Sequence, residues 1–518
     1  MTTRNALAWV VALLFLLTPA WSWGQSARKA ESLLNGWQMP EAKRVVDALA
    51  TTYPDEPNVK YLRARLAFFQ GDYKRAVALL DEANEAQSNP YWKQLREVVS
   101  NTQAVTQKFK RVRSPKGYFD LFVDPGKDEV LVGDALRVLD EAYEQIGRAL
   151  QHRPPVPIRV EVYPTTATLA KVSSLSEKDI KTSGTIALCK YNRLMITSPR
   201  ALLQGYGWAD TLVHEYVHYV INHKTKAQVP IWMHEGMAKY LERRWRGPNK
   251  QSLSPSSEDL LRQYIEKDTL ITFEQMHPSM AKLPSQEDAA VAFAEVFTVM
   301  EYLEAQLGEG AFAKVLDHIN DGLGAKRAFA KALSTTFPAF ERKWKAYLKQ
   351  RPKVILPKGA RFGDKLQFKG DANPNDLKQI AAPKARDHVH LGELLQGRKR
   401  YKAALVQYNK AARMMGETNP VLQTRLAQSH LALKQYTQAQ QALLPILSAY
   451  PSDVRVWLGL GEAALGLKDA PKALEYLQEA IYINPFDPRV HELLAQAHKA
   501  VGQPAQAEVA LSNLKRVR

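Results

Sequence analysis

The stretch Thr211-Leu-Val-His214-Glu215-Tyr-Val-His218-Tyr-Val-Ile221 decides how this chain is read. It reads as a helix. Its two histidines stand four positions apart, so a 3.6-residue turn sets them on one face, about one turn from each other. A small tetrahedral metal asks that geometry of two imidazoles. Glu215 follows the first histidine and can reach a water on such a metal, which is the mechanical form of a zinc hydrolase site. The five-residue pattern also arises by chance, and structural histidines are common on helix faces, so a second signal is needed.

That signal lies one loop further on, in Pro230-Ile-Trp232-Met-His-Glu235-Gly236-Met-Ala238-Lys-Tyr240. Its proline suits the first turn of a second helix. From there Glu235 can lean back toward both imidazoles and complete a His, His, Glu set. Together the two motifs resemble the gluzincin metallopeptidases, the clan of thermolysin and the aminopeptidases. More narrowly, they are similar to the peptidase-MA-like domains that bacteria often attach to tetratricopeptide repeats. The resemblance runs from about Arg113 to about Arg351, less than half of the chain. It implies an α+β thermolysin-like domain in which His214, His218 and Glu235 hold Zn2+ and Glu215 is the general base. There are two departures. The gap from His218 to Glu235 is a little shorter than in thermolysin or the aminopeptidases, and Phe293 stands where the family often has tyrosine.

The chain has 518 residues, enough for two to four domains, and a formal net charge of +18. No arginine-rich tract, zinc finger or RNA-binding aromatic motif accompanies the charge, which is spread over predicted helices and argues against nucleic acid. Contact with an anionic membrane or cell-wall surface stays open. Residues 1–25 read as a targeting segment: Arg4 supplies the positive end, Ala6 to Leu17 the apolar run, Pro19 its break, and Ala20, Ser22 and Gly24 the cleavage sites. The run is short for a spanning helix, so a cleaved secretory signal is preferred over an uncleaved anchor. The expected place is the bacterial periplasm. Cys189 is the single cysteine, so no internal disulfide forms; its setting in a strand predicts a buried, inert thiol.

Repeats flank the metal segment. A small residue is followed twelve positions later by alanine in the pairs Ala30/Ala42, Ala64/Ala76, Gly392/Ala404, Ala427/Ala439, Gly461/Ala473 and Ala495/Ala507, and neighbouring repeats are offset by 34 or 35 residues. Small residues at that spacing let two antiparallel helices touch. The pattern resembles the tetratricopeptide repeat, which implies all-α solenoid segments with a concave groove for a peptide or protein partner. The expected organisation is a signal at 1–25, N-terminal repeats over 26–105, the peptidase-like domain over 112–350, a linker over 351–385 rich in proline, glycine and lysine, and a C-terminal solenoid over 386–518.

In the centre, strands are expected at 118–123 and 157–163, a helix over 133–150, and two further strands at 185–188 and 193–197. Helices follow at 288–307, 310–333 and 337–350. By the resemblance, Gly184 to Leu188 is a candidate for the edge strand that pairs with an extended peptide, an ordinary edge strand being the alternative; no glutamate lies in Ser183 to Leu188 to grip a free amino terminus, which favours endopeptidase action. Tyr206, Tyr216, Tyr219 and Tyr240 lie near the motifs but read as packing residues, and His223 and His234 as structural or surface ones. Three functions stay in play: a peptidase that recruits a peptide or protein substrate through its repeats, a repeat scaffold whose peptidase domain has lost turnover, and a hydrolase of a non-peptide amide of the cell wall.

Overall fold

The architecture was taken from a computed structural model, which describes residues 23–247, 252–280, 283–356, 368–369, 380, 382–415 and 419–518. The apolar run of the expected targeting segment and most of the expected linker lie outside the described residues; Gly24 falls in the first described helix, over 23–35. No helix among the described residues is long and apolar enough to cross a membrane.

The small-residue pairs set the helical hairpins as the spacing requires. Helices Pro57–Phe69 and Tyr73–Ala86 meet at the buried Ala64 and Ala76. Helices Pro383–Gly397 and Tyr401–Met415 meet where a side chain on Gly392 would lie 2.3 Å from the Tyr408 ring. At Gly461, between Val454–Gly466 and Ala470–Ile481, the obstacle would be Leu477. Each contact is close because a β-carbon is missing or is only a methyl, which lets ridges of one helix sit in grooves of the next. Asp453, Asp469 and Asp487 accept backbone N–H groups in the first turns of their helices, so the turns are as strongly specified as the faces.

The centre is a five-stranded mixed sheet of order β1-β2-β3-β5-β4: β1 Lys110–Arg113, β2 Phe119–Val123, β3 Ile158–Tyr163, β4 Ala187–Lys190 and β5 Arg193–Thr197. β2, β3 and β5 run parallel, and both edge strands run antiparallel to their neighbours. β4 and β5 form a hairpin through Tyr191 and Asn192, both with positive φ (56° and 58°), as a two-residue turn matched to strand twist demands. The edge strand thus begins at Ala187; Gly184, expected within it, instead caps helix Glu177–Ser183 in the left-handed region (φ 72°). A second correction concerns 310–333. The chain breaks there into Ala311–Asn320 and Ala325–Ala332, because Gly322 takes φ 93° between them.

The flanking blocks are not loose attachments. On the N-terminal side, the buried Glu161 of β3 accepts from Tyr73 and Tyr163 and pairs with Arg193 at 2.9 Å and Arg159 at 2.6 Å. Trp37 packs on Tyr219 and His223 of the motif helix, Trp208–Thr225. On the C-terminal side, the turn after Ile481 lies on the segment that opens the same helix. Trp208 Nε1 donates to the Ile481 carbonyl at 2.8 Å, the Tyr206 N–H donates to the Ile483 carbonyl at 3.0 Å, and Arg246 pairs with Glu479. One apolar core accordingly runs from the N-terminal repeats through the sheet to the last C-terminal repeats.

Candidate metal centre

The motif helix packs on β4 and β5, which presents one of its long faces to the chain that follows. It ends at Lys226, and Lys226 and Ala227 both take positive φ (55° and 60°), so the chain reverses within a few residues. The next helix is Ile231–Leu241; Pro230 sits one position ahead of it, as its cap rather than in its first turn. Glu235 falls one turn into that helix and faces back. Its neighbour Gly236 lets helix Gln286–Leu307 approach, since a β-carbon there would lie 3.0 Å from the Val296 carbonyl oxygen and 2.9 Å from Met300.

His214, His218 and Glu235 are brought together, as a group able to hold a metal ion. Nε2 of His214 lies 3.3 Å from Glu235 Oε2, and Nε2 of His218 lies 3.6 Å from the same oxygen. Ligands about 2.0–2.1 Å from zinc at the tetrahedral angle stand about 3.4 Å apart, which both imidazole–carboxylate distances match. The other ring nitrogens are occupied. His214 Nδ1 lies 3.0 Å from Glu242 Oε2, whose second oxygen accepts from Lys239 at 2.6 Å. His218 Nδ1 lies 2.5 Å from His234 Nδ1, and His234 Nε2 lies 3.0 Å from Asn222 Oδ1.

The electrostatics hold His214 toward its charged form and Glu235 toward its ionised form. Burial disfavours charge on His214, but Glu235 and Glu242 on either side outweigh it and push its pKa up to about 10. Burial likewise opposes charge on Glu235, yet His218 and His214 hold it well below the carboxylate range. His234 goes the other way: burial and the neighbouring His218 push it down to about 3, so it is a neutral ring. Glu215 is buried, and burial raises its pKa while the two imidazoles and the donating N–H of Cys189 hold it back. That N–H belongs to β4, so the edge strand reaches the catalytic candidate directly. The Cys189 thiol is pushed well above its ordinary value by burial and by Glu215.

Three of the four tyrosines direct their hydroxyls to other partners, and the fourth is buried away from them. Tyr206 donates to the Thr197 carbonyl, Tyr219 to Asn192 at 3.0 Å and Tyr240 to Glu304 at 2.7 Å, while the Tyr216 hydroxyl is buried beside the rings of Phe119 and Tyr143. His223 bonds Asn192 at 3.1 Å under Trp37. Phe293 is half-buried on helix Gln286–Leu307. Sequence reasoning passed over Glu242 and Asn222. The spacing signal was present for Asn222, four residues after His218 on the same face, but not for Glu242, which lies beyond the end of its helix.

The class these features define is a metallopeptidase-like domain held between protein-interaction repeats. Residues 140–350 match the model of the Peptidase MA superfamily, and residues 30–98 and 424–488 match tetratricopeptide-repeat models. The chain therefore carries a Peptidase MA superfamily domain flanked by tetratricopeptide repeats. The sheet extends beyond the matched region, since β1 and β2 precede residue 140. Among solved structures, MamA 41-end from Desulfovibrio magneticus RS-1 is 22% identical over 27% of this chain and 81% of its own, with a TM-score of 0.25. A thermophilic tetratricopeptide-repeat protein in Thermus thermophilus is 22% identical over 25% of this chain and 72% of its own, with a TM-score of 0.24. Native yeast LTA4 hydrolase is 13% identical over 78% of this chain and 66% of its own, with a TM-score of 0.31. No curated protein matches the chain.

Proposed function

We propose that the protein is an exported, periplasmic zinc metallopeptidase whose repeats recruit a protein partner or substrate. The observation that carries this reading is the approach of two imidazole nitrogens to a single carboxylate oxygen, at 3.3 and 3.6 Å. His214, His218 and Glu235 would hold the ion, leaving a fourth position for water. Bound zinc would supply Lewis acidity and a water acidified to a pKa of about 7. The chain's own residues do the rest. Glu215, buried against β4, takes a proton from the attacking water and returns it to the leaving amine. The edge strand Ala187–Lys190 offers backbone groups to an extended peptide, as in a thermolysin-like domain, and the absence of a glutamate over 183–188 favours endopeptidase action. Nucleic acid has no place in this reading; contact with an anionic envelope surface is compatible with the +18 charge.

Elemental analysis and a broad peptide library test it together. Wild type should hold one zinc and cleave peptides; Glu215→Gln should keep the metal and lose cleavage by at least about 100-fold, and Glu235→Ala should lose the metal. A wild-type protein without zinc would sink the assignment. One observation favours a second reading, a weakly active or inactive scaffold: Phe293 carries no hydroxyl, Tyr206, Tyr219 and Tyr240 donate theirs to Thr197, Asn192 and Glu304, and that of Tyr216 is buried beside Phe119 and Tyr143. A zinc-loaded wild type that cleaves nothing in the library would select it.

A further inference from the structure

The two histidines of the motif are supported by chemically different partners. His214 faces a carboxylate, Glu242, whereas His218 faces another imidazole, His234, which faces an amide, Asn222. The second chain determines where hydrogens sit. An amide oxygen only accepts, so the His234 Nε2 beside Asn222 Oδ1 carries a hydrogen. Above the ordinary imidazole pKa of about 6.5 a ring has one N–H, which leaves a lone pair on His234 Nδ1. At 2.5 Å from that lone pair, His218 Nδ1 must be the donor. His218 Nε2 is then the lone-pair nitrogen, and it is the one aimed toward Glu235.

We propose that Asn222 and His234 form a positioning relay that fixes the tautomer and ring orientation of His218, preparing its Nε2 to ligate a divalent metal. The inference rests on the metal-centre reading above. It assigns to His234 a role that touches neither substrate nor metal. Asn222 and His218 share one face of the motif helix a turn apart, and His234 precedes Glu235 in the chain, so the relay also ties the two ligand-bearing helices together. Were the Asn222 amide turned over, its NH2 would face His234 Nε2 and the whole chain of hydrogens would reverse. His218 would then carry its hydrogen on Nε2, where it blocks a metal. The relay therefore has two states with opposite consequences, and the orientation of one amide selects between them.

The test uses the full chain and zinc itself. Ring-nitrogen NMR of histidine-labelled, zinc-free protein at about pH 8, where an ordinary imidazole is neutral, should place the His218 hydrogen on Nδ1, with the resonance assigned by its loss in His218→Gln. Competition against a chromophoric chelator should show His234→Leu binding zinc about 10–100-fold more weakly than wild type. His234→Gln should recover most of that loss, because its amide oxygen can accept from His218 and its NH2 can donate to Asn222. A hydrogen on Nε2 of His218, or equal zinc affinity in His234→Leu, overturns the relay. If His234→Leu does not fold, the zinc-free spectrum decides alone. If wild type takes up no zinc, the metal-centre reading fails, and the same spectrum still decides whether the relay exists.

Discussion

Among single residues, Glu295 shows most clearly what burial does to a charge. It sits on helix Gln286–Leu307 with one carboxyl oxygen accepting from the Ile271 N–H at 2.8 Å and the other buried without a partner. Burial pushes its pKa up to about 8, against the opposing hydrogen bond from Ile271 and the field of Lys345. A carboxyl raised in the folded state contributes stability that is complete below its ordinary value of 4.5; the contribution declines as pH rises and is gone above about 8. Glu295→Gln removes that titration. The variant should gain on wild type between pH 5 and pH 8 by on the order of 2 kcal/mol, read from urea midpoints at the two pH values. A pH-independent difference would contradict the buried-carboxyl account.

At the scale of elements, the decisive contact is the one that holds the start of the motif helix. Gly205 takes φ 72°, and a β-carbon there would lie 2.2 Å from the Ile483 carbonyl oxygen, on the turn of a C-terminal repeat. Glycine is required twice over, by conformation and by space. Gly205→Ala should cost on the order of 2–4 kcal/mol, part from left-handed strain and part from displacement of the turn. Thermal unfolding followed by circular dichroism would show the loss. Because Trp208 and the 205–207 segment lead into the helix that carries both histidines, zinc affinity should fall in the same variant. An unchanged melting temperature would mean that the repeat does not bear on the helix.

Across the whole molecule, the solenoid is divided. The last C-terminal repeats share the core of the sheet and the N-terminal repeats, whereas residues from Ile380 to Leu426 form a core of their own. Backbone amides in helices Pro383–Gly397 and Tyr401–Met415 should therefore exchange with solvent faster than those in Ala470–Ile481 and Pro488–Ala500, because sub-global opening of the former leaves the shared core intact. Hydrogen exchange read by mass spectrometry would settle it. Equal protection across these four helices would make the solenoid one unit with the rest.

The sequence alone determined what depends on local periodicity. The four-residue spacing put His214 and His218 on one face, and the small-residue pairs set the hairpins, because helix geometry converts spacing into facing without help from distant chain. It located four of the five strands within a few residues and passed over β1, whose Lys110–Arg113 is too short and basic to show an apolar alternation; it also began β4 at Gly184 and ran one helix through Gly322, since left-handed glycines end elements whose side-chain pattern continues. Only the tertiary structure decided the rest. Glu242, His234 and Asn222 become partners of the motif histidines through the reversal at Lys226 and Ala227, and the C-terminal repeat meets Gly205 across some 280 positions of chain. Contacts of that kind follow from how helices pack after they form, and no local pattern records which surfaces will meet.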